Sequence, residues 1–166
     1  IQAVVPPPDG GYPGGNTAEG QNALLNLTSG GFNTAVGWLS LRSDTTGEFN
    51  TAIGAAALFR NNGDENTALG TGALLSNSTG IQNTATGAFA LFGNTGPADN
   101  PSWPSGIAGS FNTANGDRAL FSNTTGIENT ATGSGALVSN TTGNRNTATG
   151  NLALSSNNTG QYNTAQ

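Results

Sequence analysis

Residues 129–145 read Asn129-Thr130-Ala131-Thr132-Gly133-Ser134-Gly135-Ala136-Leu137-Val138-Ser139-Asn140-Thr141-Thr142-Gly143-Asn144-Arg145. Residues 146–162 return the same phrase as Asn146-Thr147-Ala148-Thr149-Gly150-Asn151-Leu152-Ala153-Leu154-Ser155-Ser156-Asn157-Asn158-Thr159-Gly160-Gln161-Tyr162. Outward from this pair, the triplet Asn-Thr-Ala begins at 16, 33, 50, 66, 83, 112, 129, 146 and 163. The steps are 17 residues, apart from one of 16 and one of 29. Gly holds the fifth place of every full unit, from Gly20 to Gly150, and Leu the ninth, from Leu24 to Leu154. A fixed period of this kind is the mark of a repeat architecture.

A unit of 17 residues is too short for helix-pair repeats, which need more than about thirty. Two Gly, two Asn and several Thr per unit also disfavour helix. Short extended segments between Gly and Asn punctuation fit better. The fold expected is therefore all-β: a parallel β-solenoid, or β-roll, of eight coils and a partial ninth over residues 16–166. Residues 1–15 form an extended Pro/Gly-rich arm ahead of it, and a loop is inserted at 97–109. Asn-Thr-Ala-x is predicted as one strand and x-Ala-Leu-x as a second. Asn-x-Thr-Gly is predicted as the return turn, with glycines such as Gly30, Gly80, Gly96 and Gly143 at positive φ. Stacked at about 4.8 Å, eight coils make a rod roughly 38 Å long. Like positions then form ladders: Ala18, Ala35, Ala52 and their successors inward, Leu beside them, and an amide ladder of Asn16, Asn33 and Asn50 onward. Like charges in a ladder repel, whereas Glu128 and Arg145 share one place in adjacent units and are predicted to pair.

Composition alone points elsewhere. Leu, Ile, Val and Phe together are 30 of 166 residues, below the level at which a globular core is usually built. Yet charged residues are only 8%, which is unlike a charge-swollen disordered chain. No apolar run approaches the roughly 20 residues of a membrane-spanning helix, so no membrane insertion is expected. Four Arg and no Lys leave little to neutralise phosphates, and no nucleic-acid partner is expected. Without Cys, His or Lys, thiolate and imidazole metal sites, hydroxyl–histidine triads and Schiff bases are excluded. The nine acids are scattered and do not form the paired carboxylates of a glycosidase. No enzyme activity, cofactor or metal is predicted. The sequons at Asn26, Asn77, Asn123, Asn140 and Asn157 follow from the turn consensus and say little about glycosylation. The first residue is Ile1 rather than Met, which fits a processed, secreted chain or a fragment.

The Asn-Thr-Ala-x-Gly-x-x-Ala core of each unit resembles the head repeat of YadA-type trimeric autotransporter adhesins, S-x-A-x-G-x-x-A-x-A-x-G-x-x. The longer Asn-Thr-Ala-x-Gly-x-x-Ala-Leu-x-x-Asn-Thr-Thr-Gly phrase is similar to arrays in bacterial secreted and tail-fibre-like proteins. The resemblance covers residues 16–166 and implies a left-handed roll. It departs from the adhesin head by three extra residues per coil.

Three departures from the period are candidate functional places. The insert carries Trp103 between prolines, which forbid continued pairing. The arm contributes Ile1, Ala3, Val5 and Tyr12. The array stops at Asn163-Thr164-Ala165-Gln166 with no divergent unit. Solenoid ends normally need polar caps, and a head and tail of one solenoid are mutually complementary. These residues are therefore candidate assembly contacts, with the arm completing the ninth coil of a neighbour. A tenth-place stripe of Phe59, Leu75, Phe92, Phe121 and Val138, together with Trp103, is a candidate lateral contact if it points outward; a bend would bury it instead. The function expected is a secreted structural protein, self-assembling head to tail into an extracellular fibre or surface appendage. The alternatives are a trimeric adhesin or tail-fibre-like head module that meets a surface or carbohydrate receptor, and an ice-binding solenoid using the Thr ladder.

Overall fold

The structure, a computed structural model, describes residues 13–95 and 107–166. After a short 3₁₀ turn at Pro13–Gly15, the chain runs through nine short strands: β1 (Thr17–Glu19), β2 (Thr34–Val36), β3 (Thr51–Ile53), β4 (Thr67–Leu69), β5 (Thr84–Thr86), β6 (Thr113–Asn115), β7 (Thr130–Thr132), β8 (Thr147–Thr149) and β9 (Thr164–Ala165). All pair in parallel, in chain order, within one sheet. The register sets Thr on Thr and Ala on Ala throughout. The architecture is a parallel β-solenoid of about eight turns. Coils are numbered here from their first Asn, coil 1 at Asn16 to coil 8 at Asn146, and places within a coil are counted from that residue.

The x-Ala-Leu-x segments do not form the expected second strand. From the sixth to the eleventh place the chain is turn, and φ is positive at the fifth, seventh and ninth places, including Leu24, Leu41, Leu58, Leu91 and Leu154. A left-handed Leu costs roughly 1–2 kcal/mol. It is tolerated because the zigzag leaves every second amide pointing along the rod. Leu24 N donates to Ser40 O (3.1 Å) and Leu39 N to Gln21 O (3.0 Å), so the turns pair coil to coil as the strands do. The same geometry drives Leu41, Leu58, Leu74, Leu91, Leu120 and Leu137 wholly inside.

The return-turn glycines also depart from expectation, since Gly80, Gly126 and Gly143 do not have positive φ. Close approach is what requires them. A Cβ on Gly80 would stand 2.5 Å from the Gly109 carbonyl oxygen, and one on Gly126 would stand 2.5 Å from that of Gly143. Gly116, at the fifth place, meets both demands: its φ is 144° and its missing Cβ would lie 2.5 Å from Gly133 O.

The core is as narrow as the composition implies. In the inner coils Ala at the third and eighth places and Leu at the ninth are buried, and among the described residues no larger apolar side chain is fully enclosed. What fills the remaining interior is amide. First-place Asn residues accept, through Oδ1, the backbone N–H of the next Asn (Asn33 N to Asn16 Oδ1, 2.8 Å), while their Nδ2 donates to the return-turn glycine carbonyl (Asn33 to Gly47 O, 2.8 Å). Only from Asn83 onward does the side chain also donate to the Asn before it (3.1 Å to Asn66 Oδ1). A second amide ladder stands at the twelfth place. There Asn77 donates to Asn61 Oδ1 (2.7 Å), Asn94 to Asn77 (2.7 Å) and Asn123 to Asn94 (2.9 Å). No buried side-chain polar atom lacks a partner among the described residues.

Two irregular coils show how the stack absorbs a change of length. Coil 3 is one residue short in its return turn, and the side chain of Asn62 replaces the missing peptide. Its Oδ1 accepts from Thr45 N at 2.9 Å, where a backbone oxygen (Thr45 O) serves Thr28 N in the coil before. In coil 5 the return-turn place belongs to Gly109, whose carbonyl accepts from both Asn83 and Asn94. The coil has therefore resumed by Gly109, and Gly96, with the rest of the expected loop through 106, lies outside the described residues.

Leu91→Ala in mid-stack is expected to lower stability by about 2–5 kcal/mol. Gly116→Ala, which adds one methyl group, should lower it by a comparable amount, because strain in φ and a backbone collision add together. Urea denaturation followed by circular dichroism measures both, and an unchanged midpoint for Gly116→Ala would refute the close-packing account.

Candidate functional site

Three regions of the described rod differ in exposure: its first and last coils, the tenth-place edge and the outer sheet face. At the amino-terminal end, coil 1 lines a cavity of about 410 Å³ with Ala18, Leu24, Leu27 and Asn16. At the carboxy-terminal end, β9 lies on β8, with Thr164 over Thr147 and Ala165 over Ala148. Asn163 donates to Asn146 Oδ1 at 3.0 Å through both its backbone and side-chain nitrogens. Ala165 and Asn163 are only half-buried, whereas their counterparts in coils 2 to 7 are buried, and Gln166 is exposed. Of the expected assembly residues, Ile1, Ala3, Val5 and Tyr12 lie outside the described residues, as does Trp103 of the lateral set.

The tenth-place stripe neither stands free nor is enclosed: Phe59, Leu75, Phe92, Phe121 and Val138 are all half-buried. Their faces are covered by one another and by neighbouring turns. The Phe92 and Phe121 rings stack at 5.0 Å and 4°, Phe89 meets Phe92 edge-on at 5.9 Å, and the Arg42 guanidinium lies over Phe59. Half of each side chain is thus committed to holding the ladder.

The outer face of the sheet is more open. Exposure alternates through Phe32, Asn33, Thr34, Ala35 and Val36 on entering coil 2, and through Phe49, Asn50, Thr51, Ala52 and Ile53 on entering coil 3. Alternation at period two places the seventeenth, second and fourth places on one outward face. Around β2 to β4 the seventeenth and fourth places are apolar, with Phe32, Phe49, Val36, Ile53 and Leu69 on either side of the row of Thr34, Thr51 and Thr67, and Trp38, 55% exposed, follows the bend at Gly37. Beyond them it turns hydroxylic: Thr86, Asn115, Thr132 and Thr149 stand in register beside the ladder of Thr84, Thr113, Thr130 and Thr147. The signal for the apolar half was present in the repeated Phe-Asn-Thr-Ala-Val and Phe-Asn-Thr-Ala-Ile. The tenth-place residues expected as the lateral stripe lie beside the Leu ladder instead.

One ion pair among the described residues runs along a ladder. Glu128 Oε2 accepts from Arg145 Nε at 2.7 Å, as the shared place predicted, and Arg145 also donates to the Tyr162 hydroxyl at 2.6 Å. These acceptors hold the guanidinium well above its ordinary value. Glu65 accepts from Gln82, and Asp64 from the Glu48 amide, so the adjacent acids serve different coils. Among the described residues, no three Asp or Glu gather as a metal would require. Asp44 is the exception to surface placement. It occupies the twelfth place of coil 2 fully buried, accepting from Gly47 N (2.8 Å) and Asn61 Nδ2 (3.2 Å). Desolvation outweighs those donors and raises its pKa above the ordinary carboxylate value. The twelfth-place burial also encloses the sequon residues Asn77, Asn123 and Asn140, so in the folded rod they are not available for glycosylation.

Compared with protein-family models, curated proteins and solved structures, the chain finds no significant match.

Because the Asp44 pKa is raised on folding, its contribution to stability is complete below the unfolded carboxylate value and is lost as pH rises through the folded one. Asp44→Asn, which continues the amide ladder, is expected to stabilise the protein at pH 7 by on the order of 1 kcal/mol. The advantage should shrink as the wild type is acidified toward pH 4. Thermal melts of both proteins across that range test it, and a pH-independent difference would contradict the assignment.

Proposed function

We propose that the chain is a secreted structural protein, a β-solenoid protomer that stacks head to tail into an extracellular fibre or surface appendage. One observation carries this reading: the contact between coils is the same from one end to the other. Thr17 N reaches Asn33 O at 2.8 Å, and Thr147 N reaches Asn163 O at 2.8 Å. A contact that repeats without change of register is one that another copy of the same rod can continue, and continuing it gives an open filament. At the first place, Asn163 Oδ1 matches the backbone donor that the first Asn of each coil supplies to the coil before it. The role is mechanical: backbone pairing and amide ladders carry load along the axis, while outward places are free to vary. The resemblance of the Asn-Thr-Ala-x-Gly-x-x-Ala core to adhesin heads supports the neighbouring reading of a surface-displayed adhesive or tail-fibre-like module. The Thr-rich half of the sheet face favours a further alternative, an ice-binding surface. Its two ranks are broken only by Asn115 from Thr84 to Thr149, and thermal hysteresis would reveal it.

Negative-stain microscopy of the purified chain should show rods that elongate with concentration. Ala165→Asp, which sets a carboxylate in the end face, should stop elongation while leaving the circular dichroism spectrum unchanged. A monomer that persists at high concentration would overturn the reading.

A further inference from the structure

The apolar half of the sheet face is a second surface, distinct from the ends. Phe32, Val36, Trp38, Phe49, Ile53 and Leu69 are each 37–63% exposed, and together they offer on the order of several hundred Å², approaching the about 800 Å² that each partner contributes to a standard stable interface. Patches of this size on soluble chains mark interaction sites. No charge lies inside it. Glu19 precedes Val36 in its row and Glu65 follows Phe49 in its row, at opposite ends of the patch, and the exposed Glu48 adjoins it beside Phe49.

The aromatic geometry selects the kind of partner. Phe32 and Phe49 stack at 5.2 Å and 5°, and the Phe32 ring also covers Gly15, where an added Cβ would meet it at 3.0 Å. The Phe32 ring is therefore held between Gly15 and Phe49. A sugar ring packs on a free aromatic face, which Phe32 does not offer; another apolar protein surface needs only edges and methyls.

We propose that this face is covered by the same face of a second copy, the two rods lying antiparallel about a two-fold axis that runs along the strands between β2 and β3. That axis keeps each row opposite itself and reverses coil order. Phe32 then faces Phe49 of the other copy, and Val36 faces Ile53. The bulky Trp38 falls over the small Ala55, and Glu65 over Gly15, so large side chains meet small ones at both margins. Glu19 of each copy is carried to the far end of the patch, away from its twin. A parallel three-fold arrangement would bring the Glu19 residues of all copies to one level, where like charges repel. The pairing is independent of end-to-end stacking.

Sedimentation of the full chain should show a dimer at micromolar concentration. Trp38→Ser and Ile53→Lys, both at exposed places, should each weaken it at least about tenfold with unchanged circular dichroism. Where rods also elongate, the same variants should halve the mass per unit length without shortening the fibres, which separates this proposal from end-to-end assembly. The chain has no Cys, so a nitroxide label can be placed singly at Thr147→Cys, where the antiparallel pair should hold the two labels about 50 Å apart by electron spin resonance. A monomer at all concentrations, a trimer, or two labels held close together would overturn the proposal.

Discussion

The structure depends on hydrogen bonding between coils that no coil can supply to itself. Each coil bends through the left-handed region at three non-glycine places in most repeats: the seventh, at Leu39, Ala56 or Phe89; the ninth, always Leu; and the seventeenth, at Phe32, Glu65 or Arg145. Residues held there cost on the order of 1–3 kcal/mol each and persist only when their surroundings over-determine them. The neighbouring coil provides that surrounding, because each of these bends aims an amide at the adjacent turn. An isolated coil would thus be strained and almost coreless. Stability must come from neighbours, as in other one-dimensional arrays, and single defects are felt across the coils on either side.

Inside and outside obey different rules as a result. Interior places are limited by backbone distance: glycine where two carbonyls nearly touch, alanine where a methyl just fits, asparagine where a donor and an acceptor are needed at once. Outward places are limited only by the side chain one coil away. The seventeenth-place row shows this freedom, passing from a Phe–Phe stack to a Glu–Gln hydrogen bond to a Glu–Arg–Tyr chain, with each step matched locally. A one-residue deletion is likewise repaired locally by Asn62, on the turn side of the coil and away from the strand.

Much of this was legible in the repeat. Period, parallel stacking, the Ala and Leu ladders and the Glu128–Arg145 pair all follow from places that recur, because in a stack recurrence is adjacency. The conformation of the Ala-Leu segment was not legible, since Leu strongly disfavours positive φ and only inter-coil bonding overrides that preference. The twelfth-place amide ladder was hidden because an Asn-x-Thr-Gly phrase reads equally well as an exposed turn. The apolar sheet face was visible as alternation in two units, but it was obscured by the Thr-rich units that follow and by the attention that Phe at the tenth place attracts. The end faces are described at Asn163 to Gln166, whereas the arm residues expected to meet them lie outside the described residues.

The amide ladders have one further property. Every twelfth-place donor from Asn61 to Asn157 points toward the coil before it, so the side-chain dipoles add instead of alternating as strand dipoles do. The rod is therefore an electric vector, positive toward its first coil and negative toward its last, by the same summation that polarises a helix. Asp44 sits where that row begins, its carboxylate at the positive terminus. Two such vectors attract when laid side by side in opposite senses or end to end in the same sense. Both attractions would fade as added salt shortens the Debye length from about 30 Å to about 10 Å.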